Sequence, residues 1–230
     1  MMKLNQFLAG AVLMTMTLTG STHITTAADE EGWVDLFDGK TLKGWRGYKI
    51  EDVPPGWSVA DGVLTSQPTK GTTDLVTREQ YADFELVVEW KIEAGGNSGI
   101  LYRASEDQKA IWHSAVEIQI LDNDIYHGKP IGLEHAAGAV YALWPAKPES
   151  FREHGAWNET RIIAKGKNIQ VLLNDVEIAA FEIGGAEWNE RIAASKFSKF
   201  PGMGELPTGH IALQTHGSET SFRSVRLRPL

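Results

Sequence analysis

The sequence predicts an all-β protein, a β-sandwich or a barrel, from three observations. Apolar residues recur with period two along segment after segment, and turn residues separate those segments at intervals of about ten residues. Only "GAEWNERIAASKF" (185–197) has helical character, and it is short.

Taken in order, "GWVDLF" and "WSVADGVLTS" are the first expected strands. "DFELVVEWKI" follows, placing Phe84, Leu86, Val88, Trp90 and Ile92 on one face and Glu85, Val87, Glu89 and Lys91 on the other. "NSGILYR" is a strand entered from a glycine turn, and "AVEIQILDND" alternates Val116, Ile118 and Ile120 with Glu117 and Gln119. "WNETRIIAK" is another strand. "KNIQVLLNDVEIAAFEI" is a hairpin whose Asn174-Asp175 pair supplies the positive-φ turn. "GHIALQTHG" closes the set, with Ile211 and Leu213 opposed to His210, Gln214 and His216. Nothing in the composition divides the mature chain into two domains.

Composition bounds the setting. Lys3, the apolar run from Phe7 to Gly20 and the small residues up to "TTAAD" form an export signal over residues 1–27, cleaved after Ala27 or Ala28. That run is too short to span a membrane with those flanks. Residues 28–230 are then one mature domain, exported to the periplasm or beyond the cell. The chain has no cysteine, which excludes disulfides and a lipid-modified N-terminal cysteine. A net charge of −8 without a basic run argues against nucleic acid or an anionic membrane as partner. Eight tryptophans and 23 glycines suit a sugar-binding sandwich, and all-β proteins in general.

The polar faces of two strands hold the chemistry. Glu117 with Gln119, and His210 with Gln214 and His216, are hydrogen-bonding groups rather than the usual mixture on a solvated sheet. Glu117, Gln119 and Asp122 form E-x-Q-x-x-D, which resembles the E-x-D-x-x-E strand of laminarinase-like glucanases. Spacing alone puts Asp122 on the face opposite Glu117, and only a bulge after Ile120 would return it. The middle acid of the glucanase pattern is missing. Ordinary glycoside hydrolysis needs two carboxyls roughly 5 to 9 Å apart, and an amide cannot titrate between them.

Over nearly its whole mature length the sequence resembles the 3-keto-disaccharide hydrolase family, formerly a domain of unknown function. The residues that carry the resemblance are "GWVDLFDGKTLKGW", "WSVADGVL", "NSGILYR", "VEIQILDND", "HAAGAVYAL", "WNETRIIAKG", "AASKF" and "GHIALQTHGSETSFRSVRL". One departure is Thr215, where the family often has an acid; parity turns this side chain toward the core. The resemblance implies a concanavalin A-like jelly-roll β-sandwich. It also implies cleavage of 3-keto glycosides made by a partner sugar 3-oxidoreductase. The C3 ketone acidifies the C2 proton, a base removes it, and the C1 aglycone leaves by β-elimination before water adds back. This route needs one base, donors for the enolate oxygen and help for the leaving group.

The candidate base is His135 or Glu117, with His216 and Asp122 as further catalytic candidates and Lys196 as electrophile for the ketone or enolate. His210, at the mouth of its strand, suits a structural role better. Glu117, His135 and His216 are the candidates for holding a divalent cation, although no local metal spacing such as HExxH is present. Asn97, Tyr102, Arg103, Gln119 and Gln214 suit contacts to sugar hydroxyls, and Trp112, Tyr141 and Trp144 suit stacking on pyranose faces. Two other classes compete: a non-catalytic carbohydrate-binding module, and a laminarinase-like endoglucanase using Glu117 and Asp122.

Overall fold

Period-two alternation becomes two antiparallel sheets packed face to face. The computed structural model describes residues 32–123 and 131–230. The expected export signal and its cleavage point lie outside the described residues, as does Asp124.

In chain order the strands are β1 (Val34–Asp35), β2 (Trp45–Gly47), β3 (Trp57–Ala60), β4 (Val63–Ser66), β5 (Leu75–Thr77), β6 (Phe84–Ile92), β7 (Asn97–Ala104) and β8 (Val116–Leu121). Further along the chain come β9 (Asn158–Lys165), β10 (Asn168–Leu173), β11 (Val176–Glu182), the helix α1 (Ala186–Ala194), β12 (His210–Leu213) and β13 (Thr220–Pro229). One sheet runs β11-β10-β9-β6-β13-β4-β3, with β1 added alongside β13; the other runs β2-β5-β12-β7-β8.

The core lies between the sheets. Phe84, Leu86, Val88, Trp90 and Ile92 of β6 are all buried there, facing Ile100 and Tyr102 of β7, Ile118 and Ile120 of β8, and Ile211 and Leu213 of β12. The outer partner of β6 is less simple than a solvated face. Val87 is buried, and Glu85 is paired with Arg161 on β9 and Arg228 on β13, so the centre of the larger sheet is covered on both sides.

The β10–β11 hairpin turns as expected: Asn174 and Asp175 have φ of 49° and 67°, the left-handed values a two-residue hairpin turn requires. Three strands give no clear alternation in the sequence. β2 and β5 are only three residues each. β13 is ten residues long, but its register shifts between Phe222 and Ser224, which breaks the period that would reveal it.

The outer face of the smaller sheet positions the site. Its β5 end is sealed by a second apolar cluster of Val76, Leu101, Ala104, Ile111, Ala115 and Ala212, with Trp112 packed against it. Its β8 end is left polar.

Candidate active site

Glu117 and Gln119 stand on the outer face of β8, and their neighbours are fixed by strand pairing. Gln119 pairs with Gly99 across the β7–β8 ladder and Glu117 pairs with Leu101. Gly99 matters because it has no side chain. A Cβ there would lie 2.6 Å from Glu117 Oε1, so the glycine lets the carboxyl lie across β7. Gln119 Nε2 donates to Asn97 Oδ1 at 3.1 Å, and the Gln214 backbone N donates to Gly99 O at 2.9 Å, which brings Gln214 in from the end of β12. The Gln214 side chain hydrogen-bonds to Glu117.

Aromatic walls come from outside the sheet. The segment 138–141 runs beside β8, with Gly138 N donating to Gln119 O and Tyr141 N to Glu117 O, and so brings Tyr141 to the cleft that Glu117 lines. Trp112 comes from a single 3-10 turn, Ile111–His113, anchored by buried Ile111. Lys196 begins another, Lys196–Lys199, in which Ser195 Oγ accepts from Phe197 N and buried Phe197 pins the turn. Its Nζ sits over the rings of Tyr141 (4.3 Å), Trp112 (4.6 Å) and Phe197 (5.2 Å).

Asn97, Trp112, Glu117, Gln119, Tyr141, Lys196, Gln214 and His216 thus line one cleft of about 100 Å³. Such a volume takes about three waters' worth of liquid, at roughly 30 Å³ each, or the reacting edge of one sugar ring. Glu117 is 7% exposed, and burial pushes its pKa up to about 7. The positive charge of Lys196 and the Gln214 hydrogen bond oppose that rise, whereas the charge of Asp74 adds to it. The cleft walls in turn lower the pKa of Lys196 by desolvation, against the pull of Glu117.

Five expected site residues lie elsewhere. Asp122 is not returned to the Glu117 face, because the β7–β8 register runs without a shift from Tyr102↔Val116 to Asn97↔Leu121. Its Oδ2 accepts from Gly95 N at 2.7 Å and lies 3.5 Å from His154 Nδ1, fastening the turn into β7. Tyr102 points into the core, edge-on to Phe84. Arg103, 2% exposed, is absorbed in backbone: its guanidinium donates to Ala82 O and Gly166 O and pairs with Asp83. Trp144 is stacked on Phe181 at 4.1 Å, in an apolar pile with Trp188. His135 packs edge-on against the Tyr141 ring at 4.9 Å, and lies 3.4 Å from Glu134, outside the cleft lining.

His210 is structural, as its position at the strand mouth suggests. Its Nδ1 is 2.7 Å from Thr77 O and its Nε2 is 3.1 Å from Gln80 Nε2. Thr215 is engaged by Ser66 Oγ at 3.1 Å. Among the described residues no group of three or more His, Cys, Asp or Glu is placed to hold a metal ion, so Glu117, His135 and His216 do not assemble as a ligand set.

Asp74 is the residue that sequence reasoning missed. Burial pushes its carboxyl up to about 6, and its Oδ1 accepts from Thr215 N at 2.9 Å. It precedes the short β5, in a stretch where no alternation or motif marks it.

Residues 32–228 match the family described as the 3-keto-alpha-glucoside-1,2-lyase-like domain. The chain belongs to this family. It is 32% identical over 231 residues to the 3-keto-disaccharide hydrolase of Bacteroides thetaiotaomicron, covering 88% of this chain and 80% of that protein. The crystal structure of a proposed glycosyl hydrolase from Parabacteroides distasonis superposes with a TM-score of 0.82 at 31% identity, covering 90% of this chain and 98% of that one. A Bacillus subtilis protein with a galectin-like fold shares the sandwich at a TM-score of 0.51 and 13% identity, over 86% and 94% of the two chains. In this member of the 3-keto-alpha-glucoside-1,2-lyase-like family, the cleft on β7 and β8 is where carboxyl, amine, amides and aromatic rings converge.

Proposed function

We propose that the protein cleaves the glycosidic bond of 3-keto glycosides by removing the C2 proton and eliminating the C1 aglycone, with water adding back to give net hydrolysis. Membership of the family and identity to a 3-keto-disaccharide hydrolase support a glycoside-cleaving enzyme. The observation that carries the finer reading is that, among the described residues lining the cleft, Glu117 is the one carboxyl. A retaining or inverting glycosidase needs two. A C2 proton beside a ketone needs a single base, and a carboxyl with a pKa of about 7 is matched to that task at neutral pH.

Glu117 takes the C2 proton, and the C2–H electron pair becomes the enolate held at C3. Lys196, in reach of the same space, faces the oxygen where negative charge develops. The enolate then re-forms the ketone as C1=C2 forms and C1–O breaks. His216, exposed at the cleft edge, supplies a proton to the departing oxygen. Asn97, Gln119 and Gln214 hold hydroxyls, and Trp112 and Tyr141 face the ring. In this reading the ketone is supplied by a sugar 3-oxidoreductase, and the export signal read in residues 1–27 supports placing this cleavage outside the cytoplasm.

The test compares a 3-keto glycoside, the same glycoside unoxidised, and a β-glucan, with deuterium at C2 of the first. Turnover of the 3-keto glycoside alone, with loss of the C2 deuterium, is expected. Full retention of that deuterium in the product would return the chemistry to direct displacement at C1. Cleavage of unoxidised glucan would favour the endoglucanase, and binding without any turnover a carbohydrate-binding module.

A further inference from the structure

We propose that Lys196 acts by forming a Schiff base with the C3 carbonyl of the substrate, a covalent step that rests on the 3-keto reading of this cleft. Three features of its placement favour an amine that reacts over one that only lends charge.

The first is that its nitrogen is held while its bonding capacity is left open. Among the described residues none forms an ion pair or hydrogen bond with Nζ, which lies instead over the three rings of Trp112, Tyr141 and Phe197. A lysine meant to serve as a fixed charge is normally clamped by a carboxylate or carbonyl. The second is the cation-friendly surround. Aromatic faces stabilise a positive charge without accepting its protons, so the same three rings suit the ammonium before reaction and the iminium after it. The third is the partner. Glu117 shares the cleft, and an iminium at C3 acidifies C2–H more than a neutral ketone does, so base and electron sink flank the same carbon. The lowered pKa of Lys196 raises the share of free amine and works in the same direction.

The steps balance without an oxidant or reductant. The ammonium and the ketone give an iminium and one water. Glu117 removes the C2 proton, and the C2–H pair forms the C2=C3 bond of an enamine as the C3=N pair moves to nitrogen. The enamine pair returns, C1=C2 forms, and C1–O breaks with the aglycone oxygen leaving protonated. Water then hydrolyses the conjugated iminium, restoring Lys196 and releasing the 3-keto glycal.

The test uses the full mature protein and methyl 3-keto-glucoside, with Lys196→Arg as the variant, because arginine keeps the charge and forms no iminium. Sodium cyanoborohydride should trap an adduct on the Lys196 peptide of the wild type, and mass spectrometry should find none at that position in K196R. In water enriched in oxygen-18, the wild type should speed exchange of the C3 oxygen and K196R should not. K196R should lose well over about tenfold in kcat, because it keeps the positive charge and cannot form the iminium. A wild-type enzyme that cleaves the 3-keto glycoside with neither trapping nor accelerated exchange overturns the Schiff base and leaves the 3-keto reading intact. So does K196R within about tenfold of wild type, which would assign Lys196 a purely electrostatic role. Absence of any cleavage of the 3-keto glycoside by wild type removes both.

Discussion

At the scale of the residue, Glu117 combines two consequences of burial. A carboxyl with a folded pKa of about 7 and an ordinary unfolded value near 4.5 binds its proton more tightly when folded. Its contribution to stability is therefore fully present below about pH 4.5 and is lost as pH rises through about 7. The difference corresponds to no more than about 3–4 kcal/mol, at about 1.4 kcal/mol per pKa unit. Denaturant titrations across pH 4 to 8 should show a markedly larger fall in the wild type than in Glu117→Gln, whose remaining fall comes from Asp74, also raised by burial. The same group sets the rate. If Glu117 is the base, kcat/KM should fall about tenfold per unit below pH 7, and Glu117→Gln should cost roughly 10²- to 10⁴-fold in kcat. An acid limb left in place by E117Q would move the base to another residue.

At the scale of the element, strand pairing holds the acid by what β7 lacks. Gly99→Ala would put a methyl 2.6 Å from Glu117 Oε1, and the flexible carboxyl must swing away. The sheet tolerates alanine in an extended backbone, so the melting temperature should move by only a few degrees, on the scale of about 1 kcal/mol. A shift of the reacting group by about 1 Å costs on the order of 10²-fold in rate, so kcat should drop while the fold persists. Wild-type kcat in G99A, measured beside its thermal melt, would show that the carboxyl does not need this gap.

At the scale of the whole molecule, the last strand closes the larger sheet. β13 lies between β6 and β4, and Phe222, Val225 and Leu227 on it are fully buried. Deleting residues 220–230 would expose both neighbouring strand edges and forfeit on the order of 5–9 kcal/mol of apolar burial, at about 1.5–3 kcal/mol per side chain. That is comparable with the entire stability of an ordinary domain, about 5–15 kcal/mol. The truncated chain should lose its cooperative melt by circular dichroism, and a native-like melt would show that β6 and β4 can close without it.

The sequence by itself determined the sandwich, most of its strands, the Asn174-Asp175 turn and the polar face carrying Glu117 and Gln119. Each follows from alternation or turn chemistry, which act over a few residues and so are written locally. It also placed Asn97, Tyr141, Lys196, Gln214 and His216 among the candidates, since their segments carried the family resemblance. Tertiary structure decided which candidates meet. Tyr102 and Trp144 went to the core because a large ring is worth more buried among other rings than exposed, and Arg103 was consumed by backbone carbonyls of neighbouring loops. Asp122 stayed on the far face because the β7–β8 ladder has no bulge, a matter of pairing between strands and not of either strand alone. Asp74 was invisible for the same reason: its influence on Glu117 crosses between segments far apart in the chain, and a charge acts through distance in space.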